Sequence, residues 1–322
     1  MTTKRNPIGI FDRLVARVLM LVTPEHKYVK AARKISTRPL SAPQPPYLIK
    51  PEHTQLENLR IRFAKGGTAG KPVILLLNPL PQSIVCYEPI WRLLADDYHL
   101  LAMDLPGFGG SEGGGEVMNT ATQSSVVAAF VQEMGLRDFH LVGPDIGMPV
   151  ALSYALRDDC KAKSLLVGDG PCISPSYNGS IIDHAVESPL WRLIFRIGGP
   201  GPFVAGANHL GYVNYTPSND ETADYVASYK GRIASVMEWF KAYPALIDSV
   251  QPHLSAIKLP VQIFWGDLDQ LLLVKTSHEL HRLMPDSKLT IFENCGHFSY
   301  QDKAEEFAEM IMAWVGGGYR EV

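Results

Sequence analysis

Between a strand-like run, His140-Leu141-Val142, and an apolar helix-like run from Met148, the chain reads Gly143-Pro144-Asp145-Ile146-Gly147. Two glycines bracketing one carboxylate at a strand-to-helix junction constrain the fold more than any other stretch. A strand can pass straight into a helix only through a tight, strained corner, and glycines on both sides let neighbouring backbone approach where a Cβ would collide. An Asp that merely capped the helix would accept its first amides without needing glycine on either side. The pattern therefore puts Asp145 at the apex of a corner, with its carboxylate presented outward.

Strand and helix signals alternate on both sides of this corner. Residues 73–77 (Val-Ile-Leu-Leu-Leu) form a continuous apolar run, as expected of a strand covered on both faces in a parallel sheet. A helix is predicted over 87–96, a strand over 99–103, a loop over 104–111 and a helix over 121–134. The corner and its helix to about residue 157 follow, then a strand over 164–167. Upstream, 59–64 alternates as an edge strand does and ends in the turn Lys65-Gly66-Gly67. This alternation predicts a doubly wound, mostly parallel α/β sheet with right-handed crossovers.

The rhythm stops near Gly170. Residues 171–250 are rich in Gly, Pro and aromatics, and helical pieces at 190–197, 221–229 and 233–240 predict a helical lid inserted between two strands. Strand 261–265, helix 275–283, strand 288–292 and helix 304–314 then resume the pattern. The expected organisation is an N-terminal arm with a proline-rich linker (1–46), a core (47–170 with 251–322) and the lid (171–250).

The arm has its own pattern. Ile8, Ile10, Phe11, Leu14, Val15, Val18, Leu19 and Val22 recur at helical spacing, with Lys4, Arg5, Arg13 and Arg17 among them. An amphipathic helix is expected, packing on the body or on a second copy in a homodimer; the alternative is weak contact of residues 7–22 with a membrane surface.

With 322 residues, 46% hydrophobic, and a formal net charge of −3, the chain can bury a full α/β core and carries no electrostatic footprint for nucleic acid. Four cysteines without metal spacing fit reduced thiols and a cytoplasmic setting. No run is long enough to span a bilayer. His278 and His281 form an HxxH pair without a third ligand or a general base, and read as solvated. No motif calls for a metal or an organic cofactor.

Four segments, in this order and each following an expected strand, carry a family resemblance: Asp104-Leu105-Pro106-Gly107-Phe108-Gly109, the corner at Asp145, Gly266-Asp267-Leu268-Asp269, and Gly296-His297-Phe298. Over roughly residues 50–316 the chain resembles the α/β-hydrolase superfamily, and Asp at the corner resembles its Asp-nucleophile group, mainly epoxide hydrolases and haloalkane or haloacid dehalogenases. The resemblance implies an α/β-hydrolase fold with Asp145 as nucleophile, His297 as base and Asp269 as the acid orienting the imidazole. Asp169, just after the strand that follows the corner, is the alternative acid, and Asp267 reads as a turn residue. The backbone amides of Leu80 and Ile146 are the implied oxyanion hole. The loop Asn78-Pro79-Leu80-Pro81 departs from the family's His-Gly-x-Pro, and its Leu80–Pro81 bond is a candidate for the cis form. Ser111 is expected to shape its turn.

The implied chemistry is attack of Asp145 on an sp³ carbon of an apolar small molecule, then hydrolysis of the alkyl ester by water activated at His297. Ile146 stands where dehalogenases carry a halide-binding tryptophan, and Phe240 where epoxide hydrolases keep a lid tyrosine. Tyr212, Tyr215 and Trp239 are the candidate leaving-group donors, ahead of Tyr177, His184, His209, Tyr225 and Tyr229. The leading expectation is an epoxide hydrolase. A dehalogenase is second, and a non-hydrolytic lyase, cyclase or binding protein on the same fold is third.

Overall fold

The computed structural model describes residues 6–21, 23, 25–35, 40–173 and 180–322. Its frame is set by the apolar runs. The strands are β1 (Leu40–Ser41), β2 (Glu52–Leu56), β3 (Leu59–Gly67), β4 (Val73–Leu77), β5 (His99–Met103), β6 (Phe139–Pro144), β7 (Ala162–Gly168), β8 (Tyr215–Thr216), β9 (Val261–Gly266) and β10 (Lys288–Phe292). Eight of them form one sheet in the order β10-β9-β7-β6-β4-β5-β3-β2. The pairs from β5 to β10 are parallel, and β3 is antiparallel to both neighbours. The strand read as an edge is thus the second from the edge; β2, whose Glu-His-Thr-Gln-Leu carries too little apolar signal to be read, closes the sheet.

Side chains alternate across the sheet and feed two cores. Leu75, Leu77, Leu141 and Leu165 point into one, and Ile74, Leu76, Val142 and Leu166 into the other, all buried.

The helices are, in chain order, α1 (Ile10–Met20) and α2 (Glu25–Ile35) in the arm, and α3 (Glu88–Leu94), α4 (Thr120–Glu133) and α5 (Gly147–Ala155) in the core. Between β7 and β9 come α6 (Ile181–Glu187), α7 (Pro189–Gly198), α8 (Pro200–Gly211), α9 (Asn219–Ser228) and α10 (Ile233–Val250). α11 (Lys275–Leu283), α12 (Ser299–Asp302) and α13 (Ala304–Val315) complete the chain.

α2, α6, α8 and α12 have no counterpart in the sequence pattern, and α10 was foreseen only in part. α8, Pro-Gly-Pro-Phe-Val-Ala-Gly-Ala-Asn-His-Leu-Gly, has poor intrinsic propensity and is held by packing, with α1 lying along it. α10 was expected to end near residue 240, yet it continues through an internal Pro244 to Val250. That extra length places Trp239, Phe240 and Tyr243 on one face, buried against the core.

The arm is anchored to the body. Asp12 of α1 sits where a Cβ on Gly201 would come within 2.7 Å of its carboxyl, and Ala16 and Met20 are buried against Leu210 and Leu271. Arg33 of α2 donates to the carbonyls of Tyr212 (2.7 Å) and Asn208 (3.0 Å). The proline-rich stretch is pinned as well: β1 pairs with β8, and Arg92 donates to the carbonyls of Gln44 and Pro46, both at 2.8 Å. No helix among the described residues is long and apolar enough to cross a membrane.

Candidate active site

The corner forms as its glycines require. A Cβ on Gly143 would lie 2.6 Å from the carbonyl oxygen of Gly147, and one on Gly147 would lie 3.0 Å from the Leu77 Cβ. Asp145 takes φ +49°, the left-handed region that non-glycine residues seldom adopt. Its own N–H donates to Gly168 O (3.0 Å) and its carbonyl accepts from Met148 N (3.0 Å), so the backbone holds the corner without the side chain. The carboxylate reaches the loop after β4 instead, where Leu80 N–H donates to Oδ2 at 2.5 Å. Leu80–Pro81 is cis, as the loop sequence suggested. Ile146, the other implied oxyanion donor, lines the same cavity.

His297 follows β10 in a loop fixed by close contacts. Gly296 N–H donates to Asp302 Oδ2 (2.8 Å), and a Cβ on Gly296 would sit 2.3 Å from Gly211 O. The imidazole Nδ1 is 2.8 Å from Asp269 Oδ2, and its Nε2 is 3.7 Å from Asp145 Oδ1. Asp269 is itself oriented, because its Oδ1 accepts from the amides of Leu271 (2.8 Å) and Leu272 (3.0 Å). Burial disfavours the His297 cation, but the charges of Asp269 and Asp145 and their bonds to the ring outweigh it and push its pKa well above the usual imidazole value.

Asp169, the alternative acid, is buried beside this group without touching the imidazole. Its Oδ1 accepts from Gly266 N (3.0 Å) and its Oδ2 from the Ser299 hydroxyl (2.5 Å). Burial, reinforced by the negative charge of Asp269, pushes its pKa well above the usual carboxylate range. Asp267 stays in its turn, accepting from Cys295 N at 3.0 Å. Ser111 does the same, bonding Asp104 O (2.6 Å) and Arg62 N (2.8 Å).

Asp145, Ile146 and His297 open onto a cavity of about 80 Å³ with an otherwise almost wholly apolar wall. Leu80, Leu271 and Leu272 line its core side, Phe195, Phe203 and Leu210 come from the insertion, and Ala16, Leu19 and Met20 come from α1. The arm, whose helix was expected to pack on the body or on a second copy, packs on the body and supplies part of the cavity's wall. The sequence signal was there in the apolar spacing of α1, but spacing cannot say what a helix covers.

Of the expected leaving-group donors among the described residues, only Trp239 lines this cavity. Its ring packs edge-on against Phe108 at 5.4 Å, and its buried Nε1 has no hydrogen-bond partner. Tyr212 and Tyr215 lie elsewhere, as a correction to the sequence reading. The Tyr212 hydroxyl bonds Gln82 and Gln301 Oε1 (2.5 Å to the latter), and the Tyr215 hydroxyl donates to Glu221 Oε1 at 2.7 Å. Both phenols are committed to a buried polar network behind the Leu80 loop. Tyr229 donates to Gln82 O (2.9 Å), His184 stacks on Trp191 (5.0 Å), and Tyr225 is buried away from the cavity. His209 lines a separate hollow, and Tyr177 lies outside the described residues. Tyr243, which the sequence reading passed over, lines the same cavity one turn beyond Trp239. Its i, i+4 spacing from Trp239 was the available signal, hidden by ending the helix too early.

Among the described residues no group of three His, Cys, Asp or Glu side chains is arranged to hold a metal, and the four thiols are free. His278 is exposed on α11, and His281 Nδ1 bonds Ser287 Oγ at 2.8 Å.

The sequence profile of the alpha/beta hydrolase family matches residues 74–310, the span that carries the corner, Asp269 and His297. The chain belongs to the α/β hydrolase family. Its α/β-hydrolase fold, with a mostly parallel sheet, is shared with solved structures. One is a membrane phospholipase A described as a bacterial virulence factor, 24% identical, with a TM-score of 0.70 over 98% of this chain and 95% of that one. The haloalkane dehalogenase DbeA from Bradyrhizobium elkani is 19% identical, with a TM-score of 0.72 over 84% and 98%. The epoxide hydrolase VrEH1 from Vigna radiata is 17% identical, with a TM-score of 0.67 over 83% and 98%. At these identities the likeness is one of fold.

Proposed function

We propose that this α/β-fold hydrolase opens an epoxide of an apolar small molecule through a covalent ester on Asp145. The observation that carries the reading is the Asp145 carboxylate, bonded to the Leu80 amide and facing His297 at the floor of an apolar cavity that also receives Trp239 and Tyr243.

In the first step an Asp145 oxygen attacks the epoxide carbon, the C–O bond breaks, and the ring oxygen takes the Tyr243 phenol proton while Trp239 N–H donates to it. Esterification removes the Asp145 charge that helped hold the proton on His297, so the imidazolium passes that proton back to the phenolate. Neutral His297, oriented by Asp269, then takes a proton from water as the hydroxide adds to the ester carbonyl. The oxyanion forms on the Leu80 and Ile146 amides, and collapse expels the alkoxide, which takes the proton of the new carboxyl group and leaves the diol, the Asp145 carboxylate and protonated His297. The apolar lid keeps other water away from the ester.

A second reading, dehalogenation of a haloalkane or haloacid, is favoured by one feature: the unpartnered indole N–H of Trp239 suits a departing halide. Aryl epoxides and short haloalkanes are the discriminating substrates, read as diol or as released halide. With a turned-over substrate, His297→Gln should accumulate a covalent adduct on Asp145, seen as added mass on its peptide. Full turnover by His297→Gln without any adduct would overturn the scheme.

A further inference from the structure

α1 is apolar on two faces, and only one is used by the fold. Ala16 and Met20 are buried, and Leu19 lines the cavity wall. Ile10 (89% exposed), Phe11 (74%), Leu14, Val18 and Leu21 (73%) face solvent. At helical spacing these five fall within about 100° of the circumference, a continuous stripe. Arg13 and Arg17, both exposed, border the stripe one turn apart and line a hollow of about 250 Å³ together with Arg33 and His209.

A second exposed apolar stripe lies on α7. On α7, Leu190 (64% exposed), Leu193 and Ile197 (76%) repeat at i, i+3, i+7, with exposed Arg196 on the flank. Both helices pack on α8: Asp12 of α1 abuts Gly201 near its start, and Ile197 of α7 lies four residues before that glycine. Their inner faces reach the catalytic cavity through Met20 and Phe195. A chain of net charge −3 thus gathers arginines around its exposed apolar patch.

We propose that the outer faces of α1 and α7 dock on an anionic lipid bilayer. The apolar stripe enters the boundary between headgroups and acyl chains, and Arg13, Arg17 and Arg196 meet the lipid phosphates, as in interfacial amphipathic helices. Docking sets the α1 wall of the cavity against the membrane, so that an apolar substrate passes from lipid into the site; this delivery role rests on the hydrolase reading above, and the docking does not.

Flotation of the full chain with vesicles tests the docking without reference to turnover, so its failure and that of the hydrolase reading are separately visible. The chain is expected to float with vesicles of mixed phosphatidylglycerol and phosphatidylcholine, more weakly with phosphatidylcholine alone, and less in high salt. Phe11→Asp with Leu14→Asp should weaken binding by at least about tenfold at an unchanged melting temperature. Leu190→Asp with Ile197→Asp should act likewise, through a different helix. Arg13→Glu with Arg17→Glu should remove the preference for anionic vesicles. A chain that stays unbound with anionic vesicles, or Asp variants that float as the unaltered chain does, would overturn the proposal. So would light scattering that shows a dimer dissociated by both pairs of Asp substitutions, which would assign the face to a second copy.

Discussion

Oδ2 of Asp145 sits 2.5 Å from the backbone N–H of Leu80, so the inferred nucleophile rests in the place where the oxyanion of its own ester would form. One carboxylate oxygen is thereby held, and the other, 3.7 Å from His297 Nε2, remains on the side of the imidazole. The contact ties the corner after β6 to the loop after β4 and gives the carboxylate a fixed orientation before substrate arrives.

The charge coupling between Asp145 and His297 can be measured directly. Asp145→Asn imitates the neutral ester. Because Asp145 is one of the groups holding the His297 pKa high, its neutralisation should move the imidazole titration to lower pH in NMR spectra of the ring nitrogens. An unmoved titration would mean that ester formation does not release the base.

The two candidate acids should separate cleanly. Asp269 bonds the imidazole at 2.8 Å, whereas Asp169 bonds Gly266 N and Ser299. Asp269→Asn is expected to lower kcat by about 10³-fold or more, by setting the wrong tautomer, and Asp169→Asn by far less. Steady-state kinetics with the reverse ranking would move the acid to Asp169.

Asp169 also gives a stability prediction. Its pKa is raised on folding, so the folded chain holds a proton that the unfolded chain releases in the usual carboxylate range. Stability from this group is therefore greatest below that range and declines as pH rises toward the folded value. Asp104, pushed up to about 7 by burial against the pull of Arg62 and the Gly110 amide, adds a decline with the same sign between about pH 4 and 7. Asp169→Asn keeps the acceptor for Gly266 N, can donate its amide to Ser299 Oγ in place of the bond accepted there, and cannot ionise. Melting temperatures should rise more for this variant at pH 8 than at pH 5; an equal change at both would contradict the assignment.

Leaving-group assistance is expected to divide between two residues of α10. Tyr243→Phe should lower kcat on an epoxide by about 10²-fold, since it removes the proposed proton donor. Trp239→Phe should act on whichever leaving group turns over, because it removes a buried, unpartnered N–H from a residue that lines the cavity. Equal activity of Tyr243→Phe and the unaltered chain on an epoxide would send the proton donor elsewhere.

Asp302 connects the insertion to the His297 loop. Its carboxylate accepts from Val213, Asn214, Tyr215 and Gly296 amides at 2.7 to 2.9 Å. Asp302→Ala strands these donors and should cost about 3 kcal/mol or more in denaturant unfolding, with kcat falling as His297 loosens. An unfolding midpoint equal to that of the unaltered chain would mean that other contacts hold the loop.

Much of the fold was legible because its causes are local. Apolar runs such as 73–77 mark strands covered on both faces, and glycines at 143 and 147 mark a corner that only a missing Cβ allows. These features determined the sheet, the position of Asp145 and the order in which Asp269 and His297 follow it. β2 and α8 were illegible for the complementary reason: their own residues carry weak signals, and partners elsewhere in the chain stabilise them. The tertiary structure alone decided which carboxylate meets His297, since Asp169 and Asp269 both follow strands and only packing places one within 2.8 Å. It also decided that Tyr212 and Tyr215 spend their hydroxyls behind the Leu80 loop, that Tyr243 shares the cavity with Trp239, and that α1 closes the cavity from a segment more than 120 residues before Asp145. A sequence pattern reports the face that a segment must bury; the partner that buries it is chosen by the geometry of the whole chain.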